Sequence, residues 1–222
     1  MDKDSAPSGR KSQTSKLAPL ECFTLYREDT CMQAASPFNV AEFLWLVFAL
    51  YWLISARKLK TIKQREPWYG ILWHRLPLAT AYILLFSSGI PYGWLDRRFL
   101  ENTPAMAGTG LALTAAGVAL AIWARWHLGE NWSSMVTLKA GHELVRSGPY
   151  RHIRHPIYTG ILVAMAGTAL VMGRVRGLVA LGITLVAFYA KARKEERWLA
   201  KEFGTGFEAH ARETGMFLPR LP

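Results

Sequence analysis

Residues 147–163, SGPYRHIRHPIYTGILV, bring imidazole, guanidinium and phenol groups to the start of an apolar run. Pro149 and Pro156 prevent a regular helix through the polar part of this stretch, and Gly148 permits a tight turn. Pro156 suits the first turn of the helix that the apolar run predicts. Irregular backbone at membrane level is expected only where protein or a cavity satisfies its polar groups. The stretch therefore predicts a polar pocket for a charged small molecule.

Two further segments contain groups that fit such a pocket. KARKEERWLAKEFG, residues 191–204, contains the acidic pair Glu195 and Glu196, and WARWHLGENWSS, residues 123–134, contains aromatic and polar groups. Each side chain also has an ordinary interpretation. The basic ones anchor anionic lipids, the aromatic ones lie in an interfacial belt, and the acids pair with neighbouring cations on a solvated helix. These single-residue alternatives concern Arg151, Arg154, Tyr150, Tyr158, Trp198, Lys191, Arg193 and Arg197.

Five apolar runs must position these segments. They cover residues 38–56, 76–95, 105–124, 157–173 and 177–190, and a spanning helix needs about 20 apolar residues. The fifth is short, but Lys191 can snorkel and extend it. A soluble helical bundle is the alternative, and the runs do not favour it because none shows a polar helix face. We predict an all-α, polytopic integral membrane protein with about five transmembrane helices.

The last two apolar runs are joined only by residues 174–176. So short a link predicts an antiparallel helical hairpin, which brings residue 157 and residue 191 to the same face of the membrane. The stretch RHPIY and the acidic pair then become neighbours. The third run is rich in glycine and alanine, so its backbone is expected to approach a neighbouring helix closely.

The net charge of +11 is distributed as a topology signal. Lys and Arg are concentrated between the first and second runs, between the third and fourth, and after the fifth. Cytoplasmic loops are enriched in these residues, so the C-terminus and the predicted site are expected in the cytoplasm and the N-terminus outside. The same distribution argues against nucleic-acid binding.

Three regions are expected along the chain: a flexible polar arm at 1–36, N-terminal transmembrane helices at 37–122, and a core at 123–222 with the last two transmembrane helices and a cytoplasmic C-terminal helix. Cys22 and Cys31 lie in the arm without metal-spaced histidines, so no zinc site is expected. The sequence contains no nucleophile elbow, phosphate loop or metal-ligand set. Metal-free transfer of a group from a bound cofactor is the class of reaction that remains.

The stretch GHELVRSGPYRHIRHPIYTG, followed by EERWLAKEFG and then FLP, resembles the isoprenylcysteine carboxyl methyltransferase family, over roughly residues 123–219. These integral-membrane methyltransferases are related to the phospholipid methyltransferases. The resemblance implies a cytosolic S-adenosyl-L-methionine site formed by the last two helices. The implied cofactor contacts are His142, Glu143, Leu144, Val145, Tyr150, His155, Pro156, Ile157, Tyr158 and Glu195. It also implies a basic residue, either Lys191 or Arg193, that contacts the substrate's carboxylate.

Two departures from the family pattern bear on the substrate: Phe207 and His210 occupy positions where tyrosines are usual, and a Gln is replaced near Met135. The predicted function is direct methyl transfer to a lipophilic small molecule, such as an isoprenylcysteine-type carboxylate, that enters from the lipid bilayer. A phospholipid amine, a small thiol and a quinone-like metabolite are alternatives. For an amine or thiol, Glu196 or His210 is the candidate general base. A nicotinamide-dependent membrane reductase and a non-catalytic membrane subunit are alternatives of another class.

Overall fold

The computed structural model describes residues 36–56, 62–64, 68–87, 89–101, 103–129, 138–139 and 144–220. The helices are α1 (Pro37–Ser55), α2 (Trp68–Phe86), α3 (Pro104–Leu128), α4 (Pro156–Met172), α5 (Val175–Phe203) and α6 (Thr205–Glu213). Short 3₁₀ helices cover Gly93–Asp96 and Gly148–Arg151. Two short antiparallel strands, β1 (Ile62–Gln64) and β2 (Leu138–Lys139), pair with each other. Helices account for most of the described part. The two cysteines and residues 1–35 lie outside it.

Helices α1, α3 and α5 are long and apolar enough to cross a membrane, whereas α4 and the 75–86 part of α2 are shorter apolar helices. The chain is an integral membrane protein of the all-α class, as predicted. The boundaries of two predicted spans are wrong. Helix α2 begins at Trp68 and ends at Phe86, before Pro91, and does not extend to residue 95. Helix α5 continues past residue 190 to Phe203, because no helix-breaking residue occurs before Gly204, where φ is +49°.

The predicted hairpin is confirmed, but its link is Gly173 and Arg174, not residues 174–176. Gly173 ends α4 in the left-handed conformation, with φ of +63°, and its N–H donates to the carbonyl of Ala169. This end of the hairpin, which we call the turn end, is fastened to the segment after α2. The N–H of Phe99 donates to the carbonyl of Gly173 at 3.0 Å. A turn of two residues thus fixes how α5 returns along α4.

Arginines at the turn end share one carboxylate. Asp96 Oδ1 lies 3.1 Å from Arg174 Nη1 and 3.2 Å from Arg176 Nε. The Arg176 guanidinium also donates to the carbonyls of Leu84 and Ser87. A backbone hydrogen bond from Tyr92, together with the two arginines, lowers the pKa of Asp96. The charges at the turn end therefore form salt bridges that hold the segment after α2 against the hairpin.

Glycines bring α3 and α4 into backbone contact, as the small residues of the third run predicted. A Cβ atom on Gly117 would lie 2.3 Å from the backbone nitrogen of Ala164, and one on Gly160 would lie 2.6 Å from that of Ala121. Thr168 of α4 also bonds to α3, since its Oγ1 lies 3.3 Å from Thr114 Oγ1. Close glycine contacts of this kind let van der Waals packing hold helices together in lipid.

Candidate functional site

The other end of the hairpin, which we call the open end, is formed by the start of α4 and residues 188–196 of α5. Tyr158 Oη donates to Glu195 Oε1 at 2.7 Å. His155 lies between the two acids: its Nδ1 is 3.5 Å from Glu195 Oε2 and its Nε2 is 3.4 Å from Glu196 Oε1. The predicted meeting of RHPIY with the acidic pair is confirmed. The neighbours are 37 or more positions apart in sequence, so the hairpin alone makes this site.

Aromatic rings form a stack beside these acids. The rings of His155 and Tyr158 are nearly parallel, with centroids 5.4 Å apart, and Tyr158 stacks on Phe188 at 4.5 Å. Lys191 Nζ lies 5.4 Å above the Tyr158 ring and 3.9 Å from Glu195 Oε1. We call His155, Tyr158 and Phe188 the ring stack. It offers π faces next to a carboxylate, an arrangement that attracts organic cations.

Arg154 and Glu196 form a charged contact beneath the ring stack. Arg154 Nε donates to Glu196 Oε1 at 2.7 Å, and the two side chains are only 14% and 11% exposed. The lipid-anchor interpretation of Arg154 is therefore wrong, because its guanidinium points into the protein. Arg193 is 55% exposed and lies 3.8 Å from Glu196 Oε2. Glu196, predicted as a catalytic residue, is thus held by two arginines.

An apolar cluster borders the other side of the open end. Tyr150 and Ile157 are buried together with Ala124 from the end of α3, and Val145 packs against them. Burial, reinforced by the charge of Glu195, raises the pKa of Tyr150 well above its usual value, so its phenol stays protonated. Pro156 is fully buried in the first turn of α4.

Most of the predicted cofactor residues lie in this small region. Val145, Tyr150, Ile157 and Tyr158 contact one cluster, and His155 and Glu195 form its polar edge. Leu144 is half-buried just ahead of Val145. His142 and Glu143 lie outside the described residues.

His210, a predicted general base, is buried in α6. Burial and the nearby charges of Arg146 and Arg154 lower its pKa. Its backbone carbonyl accepts from Thr214 Oγ1 at 2.6 Å. Phe207, at the other departure from the family pattern, is also buried in α6. Both residues support the packing of α6.

Arg125 is a residue of this region that the sequence interpretation missed. It is 3% exposed near the end of α3, and its guanidinium donates to the carbonyls of Ser55 and Gly129, each at 2.7 Å. It therefore ties the end of α1 to the end of α3, beside Tyr150. One arginine inside an otherwise apolar helix was the available signal, since such residues are costly in lipid unless they bond within the protein.

These features define a class of protein: an integral membrane protein with a buried site of carboxylates, imidazole and stacked rings at the open end of a helical hairpin. Residues 106–206 match the family model described as phospholipid methyltransferase. Both helices of the hairpin, α4 and α5, lie wholly within that match. This segment of the chain is therefore similar to the phospholipid methyltransferases, and much of the chain is also similar to protein-S-isoprenylcysteine O-methyltransferases.

The chain is also similar to individual proteins. The chain is 28% identical over 97 residues to the protein-S-isoprenylcysteine O-methyltransferase of Schizosaccharomyces pombe, covering 42% of this chain and 41% of that protein. It is 26% identical over 139 residues to the protein-S-isoprenylcysteine O-methyltransferase B of Arabidopsis thaliana, covering 61% and 66%. It is also 33% identical over 113 residues to the cobalt-zinc-cadmium resistance protein CzcN of Cupriavidus metallidurans, covering 50% of each. The chain spans about half the length of the curated relatives it matches.

Proposed function

We propose that the protein is an integral-membrane methyltransferase that uses S-adenosyl-L-methionine and methylates a lipophilic acceptor. The observation that carries this proposal is the contact of Glu195 with Tyr158 and His155 inside the segment that matches the methyltransferase family. When bound, S-adenosyl-L-methionine supplies a methyl group on a sulfonium for direct displacement by the acceptor. The open end is proposed to face the cytoplasm, because the basic side chains of the second half of α5 lie there.

The residues at the open end suit this cofactor chemically. Glu195 accepts hydrogen bonds from an ammonium or hydroxyl group, and the ring stack attracts a sulfonium cation. His155 Nε2 is buried 3.4 Å from Glu196 Oε1, without a well-aligned hydrogen bond among the described residues. A buried polar atom left in this state costs free energy, which a bound polar group would recover. Val145, Tyr150 and Ile157 supply an apolar surface for the rest of the molecule.

Lys191 is the better candidate for positioning the acceptor. Its side chain is 12% exposed and lies over the ring stack, whereas Arg193 is 55% exposed and directed to Glu196. A carboxylate acceptor needs no general base, which agrees with the pairing of Glu196 to Arg154. An amine or thiol acceptor would have to lose a proton, and a paired carboxylate is a poor base for that task. We therefore favour an isoprenylcysteine-type carboxylate over a phospholipid amine or a small thiol as the methyl acceptor.

Binding of labelled S-adenosyl-L-methionine to the purified full chain tests the cofactor. We expect His155→Ala and Glu195→Gln to weaken binding by roughly tenfold or more, because each removes a charged or buried polar contact. Asp96→Asn at the turn end is the matched control and should bind like wild type. Equal binding by wild type and both open-end variants would refute the assignment of the site. Binding of a nicotinamide cofactor instead would favour a reductase.

A transfer assay with the labelled cofactor then identifies the acceptor. Prenylcysteine analogues, a lipid extract and small thiols are offered separately, and the labelled product is extracted. Labelling of the prenylcysteine analogue, with a raised KM in Lys191→Ala but not in Arg193→Ala, is expected. If only the lipid extract or only the thiols were labelled, that compound class and not a carboxylate would be the acceptor. Cofactor binding without labelling of any acceptor would favour a non-catalytic subunit.

A further inference from the structure

The chain after α6 returns to the start of α4. Residues 214–217, which we call the C-terminal strap, run beside residues 152–155. The N–H groups of Arg154 and His155 donate to the carbonyls of Gly215 and Met216 at 2.9 Å and 3.1 Å. Only glycine fits at position 215, since a Cβ atom there would lie 1.7 Å from the carbonyl oxygen of Leu218. The strap begins beyond residue 206, where the family match ends.

Side chains fasten the strap at both of its ends. Thr159 Oγ1 donates to the carbonyl of Phe217 at 2.7 Å. The Arg154 guanidinium donates to the carbonyls of Thr214 and Ala211 while its Nε holds Glu196. The strap is therefore bonded to α4 and, through one arginine, to the acidic pair on α5.

Phe217 gives the strap a direct contact with the site. Its ring meets the His155 ring at an interplanar angle of 61°, with centroids 6.2 Å apart. Tyr158 stacks on the imidazole as well. The His155 side chain is 7% exposed, and its two ring nitrogens lie 3.5 Å from Glu195 Oε2 and 3.4 Å from Glu196 Oε1. The rings of Tyr158 and Phe217 therefore contact an imidazole whose nitrogens face the two acids.

We propose that Phe217 is a positioning residue: the C-terminal strap holds its ring against His155 and so keeps the imidazole between Glu195 and Glu196 at the cofactor site. This inference rests on the proposed function, because it assigns the strap to the same cofactor site. Side-chain packing of this kind is what keeps a binding group within the narrow geometry that its task needs. Edge-to-face aromatic pairs are also a favoured arrangement.

The test compares Phe217→Ala with Leu218→Ala in the full chain. Leu218 is the next residue and is 73% exposed. Its replacement by alanine also removes a large apolar side chain, but at an exposed position. We expect Phe217→Ala to weaken S-adenosyl-L-methionine binding by roughly three- to tenfold and Phe217→Tyr to restore it. Leu218→Ala should bind like wild type. The melting temperature of each variant in detergent shows whether the fold is retained.

A second readout reports on the imidazole itself. In the chain labelled with ¹³C- and ¹⁵N-histidine, the His155 ring signals, assigned with His155→Asn, should shift in Phe217→Ala and not in Leu218→Ala. Equal cofactor affinity and unchanged ring signals in Phe217→Ala would refute the proposal. Failure of the wild type to bind the cofactor would overturn the proposed function, and the ring signals alone would then decide whether the strap positions His155.

Discussion

The two ends of the α4–α5 hairpin use similar residues with different results. At the turn end, one carboxylate, Asp96, meets two arginines, and backbone carbonyls accept from Arg176. At the open end, two carboxylates share an imidazole, a phenol and cations around a ring stack. The turn end uses charge to fasten a loop. The open end buries an imidazole between two carboxylates and beside stacked rings, a combination of polar and aromatic groups that suits a bound ligand.

The difference shows that charge pairing by itself does not identify a functional site. Both ends contain a cation near an aromatic ring: Arg176 lies 5.3 Å from the centre of Tyr92, and Lys191 lies 5.4 Å from that of Tyr158. Depth does not separate the ends either, because the side chains of Arg176 and His155 are both 7% exposed. What distinguishes the open end is the set of groups that meet there: two carboxylates flank one imidazole, and stacked aromatic rings lie beside them.

The largest expected effect is a loss of stability when the packing of α3 on α4 is disturbed, because this packing supports both ends of the hairpin. Gly117→Ala would place its Cβ 2.3 Å from the backbone nitrogen of Ala164, so the helices must separate. We expect the free energy of unfolding to fall by about 3 kcal/mol or more, measured by thermal or denaturant unfolding in detergent. Gly108→Ala on the same helix meets no atom within 4 Å and should leave stability unchanged or slightly raised. Equal stability of the two variants would contradict the close contact.

A smaller effect separates the two ends. Arg154→Ala leaves Glu196 buried without its closest cation, so we expect a loss of about 3 kcal/mol in unfolding free energy, together with loss of cofactor binding. Asp96→Asn should lower the melting temperature less, because the carboxylate is more exposed, and should not change binding. Arg151→Ala, at an exposed position ahead of Arg154, is the control for loss of a positive charge. A larger loss of stability in Asp96→Asn than in Arg154→Ala would reverse the comparison.

The smallest expected effect is a pH dependence from His210, which lies next to the strap at the open end. Its pKa is lowered in the folded protein by burial and by two arginines, so below about pH 6.5 the unfolded chain binds a proton that the folded chain resists. Stability should therefore decrease as pH falls from 7.5 towards 5.5. His210→Gln should flatten this part of the curve of melting temperature against pH. A melting temperature that rises as pH falls, and does so only in the wild type, would contradict the sign.

Several features of the fold and site follow from local sequence. Apolar runs predicted the helices. Because only two or three residues link the last two runs, α5 had to run antiparallel to α4. That return predicted that Tyr158 and Glu195 would be neighbours. The exact ends of α2 and α5 were wrong, because an apolar run marks where lipid can cover a helix and not where its hydrogen bonds stop. Helix α5 continues through charged residues that form helix as readily as apolar ones.

Other features depend on which distant residues meet. Arg154 was equally compatible with a lipid anchor until the strap and Glu196, 42 positions away, were seen to surround it. Arg125 gained its role from the carbonyl of Ser55, 70 positions earlier. Likewise, nothing near Phe217 indicates its contact with His155. Spacing along one helix says which side chains share a face, but it does not say what packs against that face.

The sequence by itself thus determined the membrane class, the hairpin and the family resemblance, since these depend on hydrophobic length, short links and local motifs. Only the tertiary structure decided that one cation was structural, that one imidazole lay buried between two carboxylates, and that the C-terminal strap reached the site. Those outcomes depend on hydrogen bonds and ring contacts between segments 40 to 70 positions apart, and such contacts exist only after the helices have packed.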